Sequence, residues 1–397
     1  MLAAIIDAML FDPAGFEPLT EEPWDDARVR ASIRRLVARI DEAFDAEGLW
    51  PAHDWDGWQA ATPMKNLYVG AAGVVWALDR LHEQGAADTG LDLAAAAAAT
   101  LGAWRREPDF MRGEQLPARK ESALLTGDTG ILLVAWHLTG EPALEDDLHA
   151  LVVANVDSEA GEVMWGTPGT LVAAQHMLES TGEERWRAAC DESADAIWAR
   201  RDEQGRWAQH LHGETYVGLG TAHGYVGNVA ALRPSLDDER RAWLDGEANA
   251  LLAAIAHVEN GGANWPGTVR DTLPGGDGQV RLQWCTGAPG VVIAAGDYLE
   301  EELLLAGARL TWEAGPHGME KGFGLCHGTA GNGYALLKAF ERTGDEEWLD
   351  RARRFAVHAL AQAEAGAGRF SLWTGDPGAA LFAADCLAGE GRYPILG

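Results

Sequence analysis

Two short segments carry soft metal ligands: Trp284-Cys285-Thr286-Gly287-Ala288-Pro289-Gly290 and Gly324-Leu325-Cys326-His327-Gly328-Thr329-Ala330-Gly331-Asn332. Two thiolates and an imidazole are ligands that Zn²⁺ prefers, and three protein ligands leave a fourth position for water or substrate, as in catalytic zinc sites. Neighbouring residues on a regular helix point about 100° apart, so Cys326 and His327 face one metal only from a turn, which the following glycine supplies. The other two cysteines, Cys190 and Cys386, lie inside helical patterns without polar companions and read as small core residues.

The elements that must position these groups announce themselves as a repeat. Gly-x-x-Gly followed by an apolar run recurs at Gly70/Gly73, Gly127/Gly130, Gly166/Gly169, Gly224/Gly227, Gly287/Gly290, Gly328/Gly331 and Gly375/Gly378. Spacings of roughly 40 to 60 residues mark a repeat architecture. The runs after the glycines, such as Ile131-Leu132-Leu133-Val134-Ala135-Trp136, are apolar nearly all round, as in a buried helix. Thr139-Gly140-Glu141, Thr181-Gly182-Glu183 and Thr343-Gly344-Asp345 then end one helix in a left-handed glycine and place acids in the first turn of the next. The helices that follow are amphipathic.

Each repeat is therefore a hairpin of a buried and an amphipathic helix. The expectation is an all-α fold, an α/α toroid of seven inner and seven outer helices. It forms a single domain, in which residues 1–60 supply a lead-in and an outer helix from Asp26 to Glu47, and residues 61–397 supply the seven repeats. The Gly-, Asn- and Pro-rich stretch from Asn260 to Gly278 reads as a long loop near the mouth, and long loops in compact folds are often functional.

Counting back from the first glycine of each repeat aligns the reactive residues. Cys285 and Cys326 lie two before it, His327 and His223 one before it, and Glu162 four before it. Equivalent positions share a height on the ring, so these groups converge although they are distant in sequence. Asp128 and Asp376 read as helix-start carboxylates; Asp79 carries no clear signal. His137, His176 and His358 read as packed or exposed helix residues, and His210 and His212 occupy no repeat position.

With 61 acidic against 31 basic residues the formal charge is -30, which argues against nucleic acid or an anionic membrane as partner. No apolar run reaches the roughly 18 residues of a spanning helix, and Met1-Leu2-Ala3-Ala4-Ile5-Ile6 lacks the basic flank of a signal peptide. A soluble, cytoplasmic protein is expected.

At the motifs Ala222-His223-Gly224, Trp284-Cys285-x-Gly-Ala-Pro-Gly290 and Lys321-Gly322-Phe323-Gly324-Leu325-Cys326-His327-Gly328-Thr329-Ala330-Gly331-Asn332, the chain resembles the lanthionine synthetase C-like family. That family comprises the cyclases of lantibiotic biosynthesis and eukaryotic relatives that add glutathione to dehydrated residues in proteins. The resemblance covers all seven repeats. It implies the α/α toroid, one Zn²⁺ held by Cys285, Cys326 and His327, and a catalytic role for His223. It further matches Glu162 to an acidic residue of the family, Arg281 to a functional arginine of some cyclases, and Lys321 to the string shared with glutathione-binding relatives. Thr286 departs from the pattern, standing where many relatives carry His. The implied activity is zinc-dependent addition of a thiol, from a peptide Cys or glutathione, to dehydroalanine or dehydrobutyrine. The implied partners are a dehydrated peptide or protein, glutathione and a separate dehydratase. Prenyl transfer to a thiol on a similar toroid would need an Asp ligand and a wide aromatic cavity. A glycosidase would need two opposed carboxylates and leaves the cysteines idle. A zinc-containing glutathione or peptide receptor without chemistry is the non-enzyme alternative.

Overall fold

The computed structural model describes residues 10–54, 56, 63–109, 122–211, 214–269 and 280–396. Residues 1–6, His212 and the stretch 270–278, on which expectations were placed above, lie outside these. Among the described residues there are fourteen α-helices. Seven follow the glycine pairs: α2 (Ala71–Glu83), α4 (Asp128–Thr139), α6 (Thr167–Thr181), α8 (Tyr225–Leu232), α10 (Ala288–Ala294), α12 (Thr329–Thr343) and α14 (Asp376–Ala388). Seven alternate with them: α1 (Asp26–Ala43), α3 (Leu93–Arg106), α5 (Pro142–Asn155), α7 (Glu184–Ala199), α9 (Asp238–Ile255), α11 (Glu301–Ala314) and α13 (Glu346–Ala365).

The first set forms the inner wall. α2 packs on α4, α4 on α6, α6 on α8, α8 on α10, α10 on α12, α12 on α14, and α14 returns to α2, so the ring closes. These helices are buried nearly all round, as in α4, where Thr129 through Ala135 are all buried. The second set lies outside, with α1 covering α13 and α14. Its helices bury a stripe, as in α1, which turns Val29, Ile33, Leu36, Val37 and Ile40 inward at the spacing of a helix face; in α13 the burial widens to all of Phe355 through Leu360. The fold is the expected α/α toroid.

The glycine pairs follow from crowding. A Cβ on the second glycine of every pair would overlap the carbonyl oxygen of the residue six before it: Leu67 for Gly73, Leu325 for Gly331, Trp284 for Gly290. The chain entering each inner helix is folded tightly over that helix's first turn, and only hydrogen fits.

Inner-to-outer turns are short. Gly140, Gly182 and Gly344 close α4, α6 and α12 in the left-handed conformation. The acids after them sit at the N-cap rather than in the first turn, and of the three only the Asp345 side chain makes a capping hydrogen bond. Outer-to-inner connections are longer and return to the end where the inner helices begin. They hold two antiparallel hairpins, β1 (Gln209–Leu211) with β2 (Glu214–Tyr216) and β3 (His257–Glu259) with β4 (Gly262–Asn264). The expected loop from Asn260 thus begins as a hairpin turn. The outer helix expected to reach Glu47 stops at Ala43, where the Phe44 amide bonds back to Asp41 and the chain enters a turn between Asp45 and Leu49. No helix of the described residues is long and apolar enough to cross a membrane.

Candidate metal centre and active site

The residue two before the first glycine of a repeat is part of a backbone girdle around the mouth. Cys285 N–H donates to Cys326 O at 3.4 Å, Cys326 N–H to Trp373 O at 2.8 Å, Trp373 N–H to Tyr68 O at 3.2 Å, and Tyr68 N–H to Leu125 O at 2.8 Å. Five repeats are thereby held at one height, with adjacent side chains projecting beside one another. All inner helices begin here, and their N-terminal partial charges favour anions at this end.

Two of these positions hold thiols. The Cys285 Sγ, the Cys326 Sγ and an imidazole nitrogen of His327 lie within 4.8 Å of one another, and Cys326 Sγ is 3.4 Å from His327 Nε2. Ligands at about 2.3 Å (S) and 2.0 Å (N) from a tetrahedral Zn²⁺ stand roughly 3.5–3.8 Å apart, so this donor set fits that ion. Gln283 donates its amide to Cys285 Sγ at 2.9 Å. The Cys285 thiol is held well below its ordinary value, first by the hydrogen bond from Cys326 and then by the His327 charge, against the effect of burial. Cys326 is pushed well above, first by burial and then by Cys285, while the Tyr68 hydroxyl and the Lys321 charge act the other way.

On the neighbouring repeats, whose loop at Gly220 abuts the Cys285 carbonyl, stands a second pair. His223 Nδ1 donates to Glu162 Oε2 at 2.8 Å. Glu162 is fully buried, and its carboxylate also accepts the backbone amides of Met164 at 3.0 Å and Trp165 at 2.8 Å. The Trp165 ring lies 5.1 Å from the imidazole. Burial works against a charged His223, but the charge and hydrogen bond of Glu162 outweigh it and Cys285 adds to them, so the imidazole pKa is raised. That contribution of Cys285 places the two groups in one electrostatic environment.

The remaining residues sort unevenly. Lys321 is close enough for its charge to reach both Cys326 and the buried His317, whose pKa falls to about 4, first through burial. Arg281 lies on the strand of chain leading to Cys285, where its carbonyl accepts the Asn264 amide at 3.0 Å. The helix-start acids have structural partners: Asp128 accepts the Trp104 indole, and the buried Asp376 pairs with Arg39 at 2.5 Å. His358 bonds Glu17 at 2.8 Å, His176 donates to Ile395 O at 3.0 Å, His137 pairs with Asp79 at 3.0 Å and His210 with Thr215 at 2.8 Å. Cys190 and Cys386 are buried thiols with raised pKa values, Cys190 to about 11.

Sequence reasoning passed over Tyr68 and Gln283. Tyr68 occupies the same repeat position as Cys285 and Cys326, and its hydroxyl meets the Cys326 thiol. The alignment that found the cysteines therefore contained its signal.

The comparisons agree with this architecture. A family model described as lanthionine synthetase C-like protein matches residues 63–394. A glutathione S-transferase LANCL1 from Danio rerio is 28% identical over 309 residues, 68% of this chain and 73% of that protein. Among solved structures, nisin cyclase superposes with a TM-score of 0.60 at 15% identity, over 90% of this chain and 94% of that one, which supports the fold. The chain belongs to the lanthionine synthetase C-like family.

Proposed function

We propose that this protein adds a thiol across the Cα=Cβ bond of a dehydroalanine or dehydrobutyrine residue in a peptide or protein, forming a thioether. The observation that carries the reading is the placing of a buried carboxylate–imidazole pair, Glu162–His223, beside a Cys285–Cys326–His327 donor set at one mouth of the toroid. Zn²⁺ bound by those three residues would stabilise a substrate thiol as its thiolate, because a cation beside sulfur lowers the thiol pKa below about 8.5.

The chain's own groups handle charge and proton. As sulfur bonds to Cβ, the π electrons move toward the carbonyl, and the resulting enolate needs a proton at Cα. Glu162 holds His223 by Nδ1 and favours its protonated form, which leaves Nε2–H to deliver that proton. The thiol proton lost at one end is balanced by the proton gained at Cα. Trp165 fixes the plane of the imidazole. Arg281 is assigned to the developing negative charge, and Lys321 to a carboxylate of the thiol donor, on the side of Cys326.

Glutathione is the proposed donor, in keeping with the activity named for the Danio rerio relative. The dehydrated residue would come from a separate dehydratase. Purified protein, assayed for zinc and then incubated with glutathione and a dehydroalanine peptide, should contain one zinc per chain and yield a glutathione adduct by mass spectrometry. Zinc without an adduct would shift the reading to closure of a ring by a cysteine within the peptide. Protein that takes up no zinc would overturn the reading.

A further inference from the structure

The segment after α14, residues 389–396, runs back into the toroid from the end opposite the mouth. It is tied to two inner helices, near its start and near its end: Gly391 N–H donates to Glu341 Oε1 of α12 at 2.6 Å, and Ile395 O accepts His176 Nε2 of α6 at 3.0 Å. Between these ties Tyr393 is buried to 2% exposure. Its hydroxyl donates to Leu325 O at 2.8 Å, and its ring stacks on Trp284 with centroids 5.1 Å apart and planes 10° apart. The same ring lies 5.6 Å from Trp373.

Leu325 precedes Cys326, Trp284 precedes Cys285, and Trp373 offers the carbonyl that holds the Cys326 amide. One side chain thus touches the backbone or ring immediately behind both thiols. The Leu325 carbonyl is caught between Tyr393 and the first turn of α12, where Gly331 leaves it room. Trp284 and Tyr393 also border a cavity of about 250 Å³, shared with Thr221, Lys338 and Leu396. The indole borders open space in that direction and is held on its other sides by Trp373, tilted against it at 4.7 Å, and by Tyr393, the ring that lies parallel to it.

We infer that Tyr393 is a positioning residue for the metal centre: entering from the far end of the ring, it sets the separation of the two cysteine loops and so the affinity and geometry of the bound ion. The inference rests on the reading of Cys285, Cys326 and His327 as metal ligands. Groups behind the ligands of a metal site commonly change affinity by about 10- to 100-fold when altered.

The test is Tyr393→Phe in the full chain, which keeps the stack and deletes the hydroxyl. Zinc affinity is read by competition with a chromophoric chelator, and ligand geometry by the visible bands of the Co²⁺-substituted protein. The matched control is Tyr334→Phe, which keeps a ring that meets Tyr393 edge-on at 5.0 Å and removes an equally buried hydroxyl whose bond, 2.5 Å long, runs to Asp385 instead of to a ligand loop. Tyr393→Phe should bind zinc about tenfold more weakly and shift the Co²⁺ bands, whereas Tyr334→Phe should lower the melting temperature with affinity and spectrum kept. Unchanged affinity and spectrum in Tyr393→Phe, with the parent binding zinc normally, would overturn the inference alone, as would an equal loss in Tyr334→Phe. A parent protein that binds no zinc would overturn the metal reading and this inference with it.

Discussion

Two arcs of the same ring share a backbone and differ in chemistry. In the arc from repeat three to repeat six, the two residues before the first glycine are Met164-Trp165, Ala222-His223, Cys285-Thr286 and Cys326-His327. In the arc formed by repeats seven, one and two they are Trp373-Thr374, Tyr68-Val69 and Leu125-Thr126. The girdle of amide hydrogen bonds starts at Cys285 in the first arc and runs through the whole of the second to Leu125. Apart from Tyr68, whose hydroxyl meets Cys326, the second arc spends its polar residues on itself: Asp56 takes Arg369, Ser371 and Thr374, and Lys65 pairs with the buried Asp109 at 3.2 Å. The repeat thus supplies places, and two side chains per repeat decide whether a place holds chemistry or support.

The contrast can be broken at its strongest point first. Cys326→Ala should abolish stoichiometric zinc and with it turnover, while Trp373→Phe, at the equivalent position, should keep the metal; elemental analysis showing full zinc in Cys326→Ala would end the ligand assignment. Next, His223→Asn should retain zinc and lower turnover by about 10²–10⁴-fold. Because protonated His223 is the proposed donor and Glu162 raises its pKa, rates should fall as pH rises through that value, and Glu162→Gln should move this limb to lower pH. A limb that stays in place would remove Glu162 from the mechanism.

Sharper still is a comparison in which the arcs should behave alike. Gly331→Ala and Gly73→Ala each force a Cβ into the carbonyl six residues back, and each should cost about 1–3 kcal/mol in denaturant unfolding. A large cost in one arc only would mean that the repeats are not equivalent scaffolds. The smallest effect concerns an imidazole–carboxylate pair outside the mouth, Asp79–His137, which joins the inner helices of repeats one and two with His137 half-exposed. Its imidazole pKa is raised, first by the hydrogen bond to Asp79. The stabilisation is therefore complete below the ordinary histidine value of about 6.5 and lost as pH rises through the raised one; solvent limits it to about 1 kcal/mol. His137→Gln should lower the melting temperature at pH 5.5 and leave it unchanged at pH 8.5, with zinc content unaffected.

How much of this the sequence disclosed depends on range. The glycine pairs mark every inner helix because the crowding that requires them is local, six residues from carbonyl to glycine. The positions just before those glycines also led to the expectation that Cys285, Cys326, His327, His223 and Glu162 converge, which Cys285, Cys326 and His327 do, while the bond between His223 and Glu162 was not itself legible. Pairings between distant segments left no local pattern: Arg369 finds Asp56 across 313 positions, and Tyr393 finds Leu325 across 68. The acids at helix starts illustrate the same limit: Asp128 and Asp376 were legible as first-turn carboxylates, but not their partners Trp104 and Arg39, which come from neighbouring helices.

Closure of the ring by α14 against α2 bears on how the molecule comes apart. In an open stack of repeats each unit leans on two neighbours except at the ends, and fraying begins there. Here no repeat is terminal: repeat one is held by repeats two and seven, and the girdle carries the same bond across that seam through Trp373 and Tyr68. Loss of any one hairpin opens two interfaces at once, so unfolding of the seven repeats is expected to be cooperative, with no repeat fraying ahead of the others.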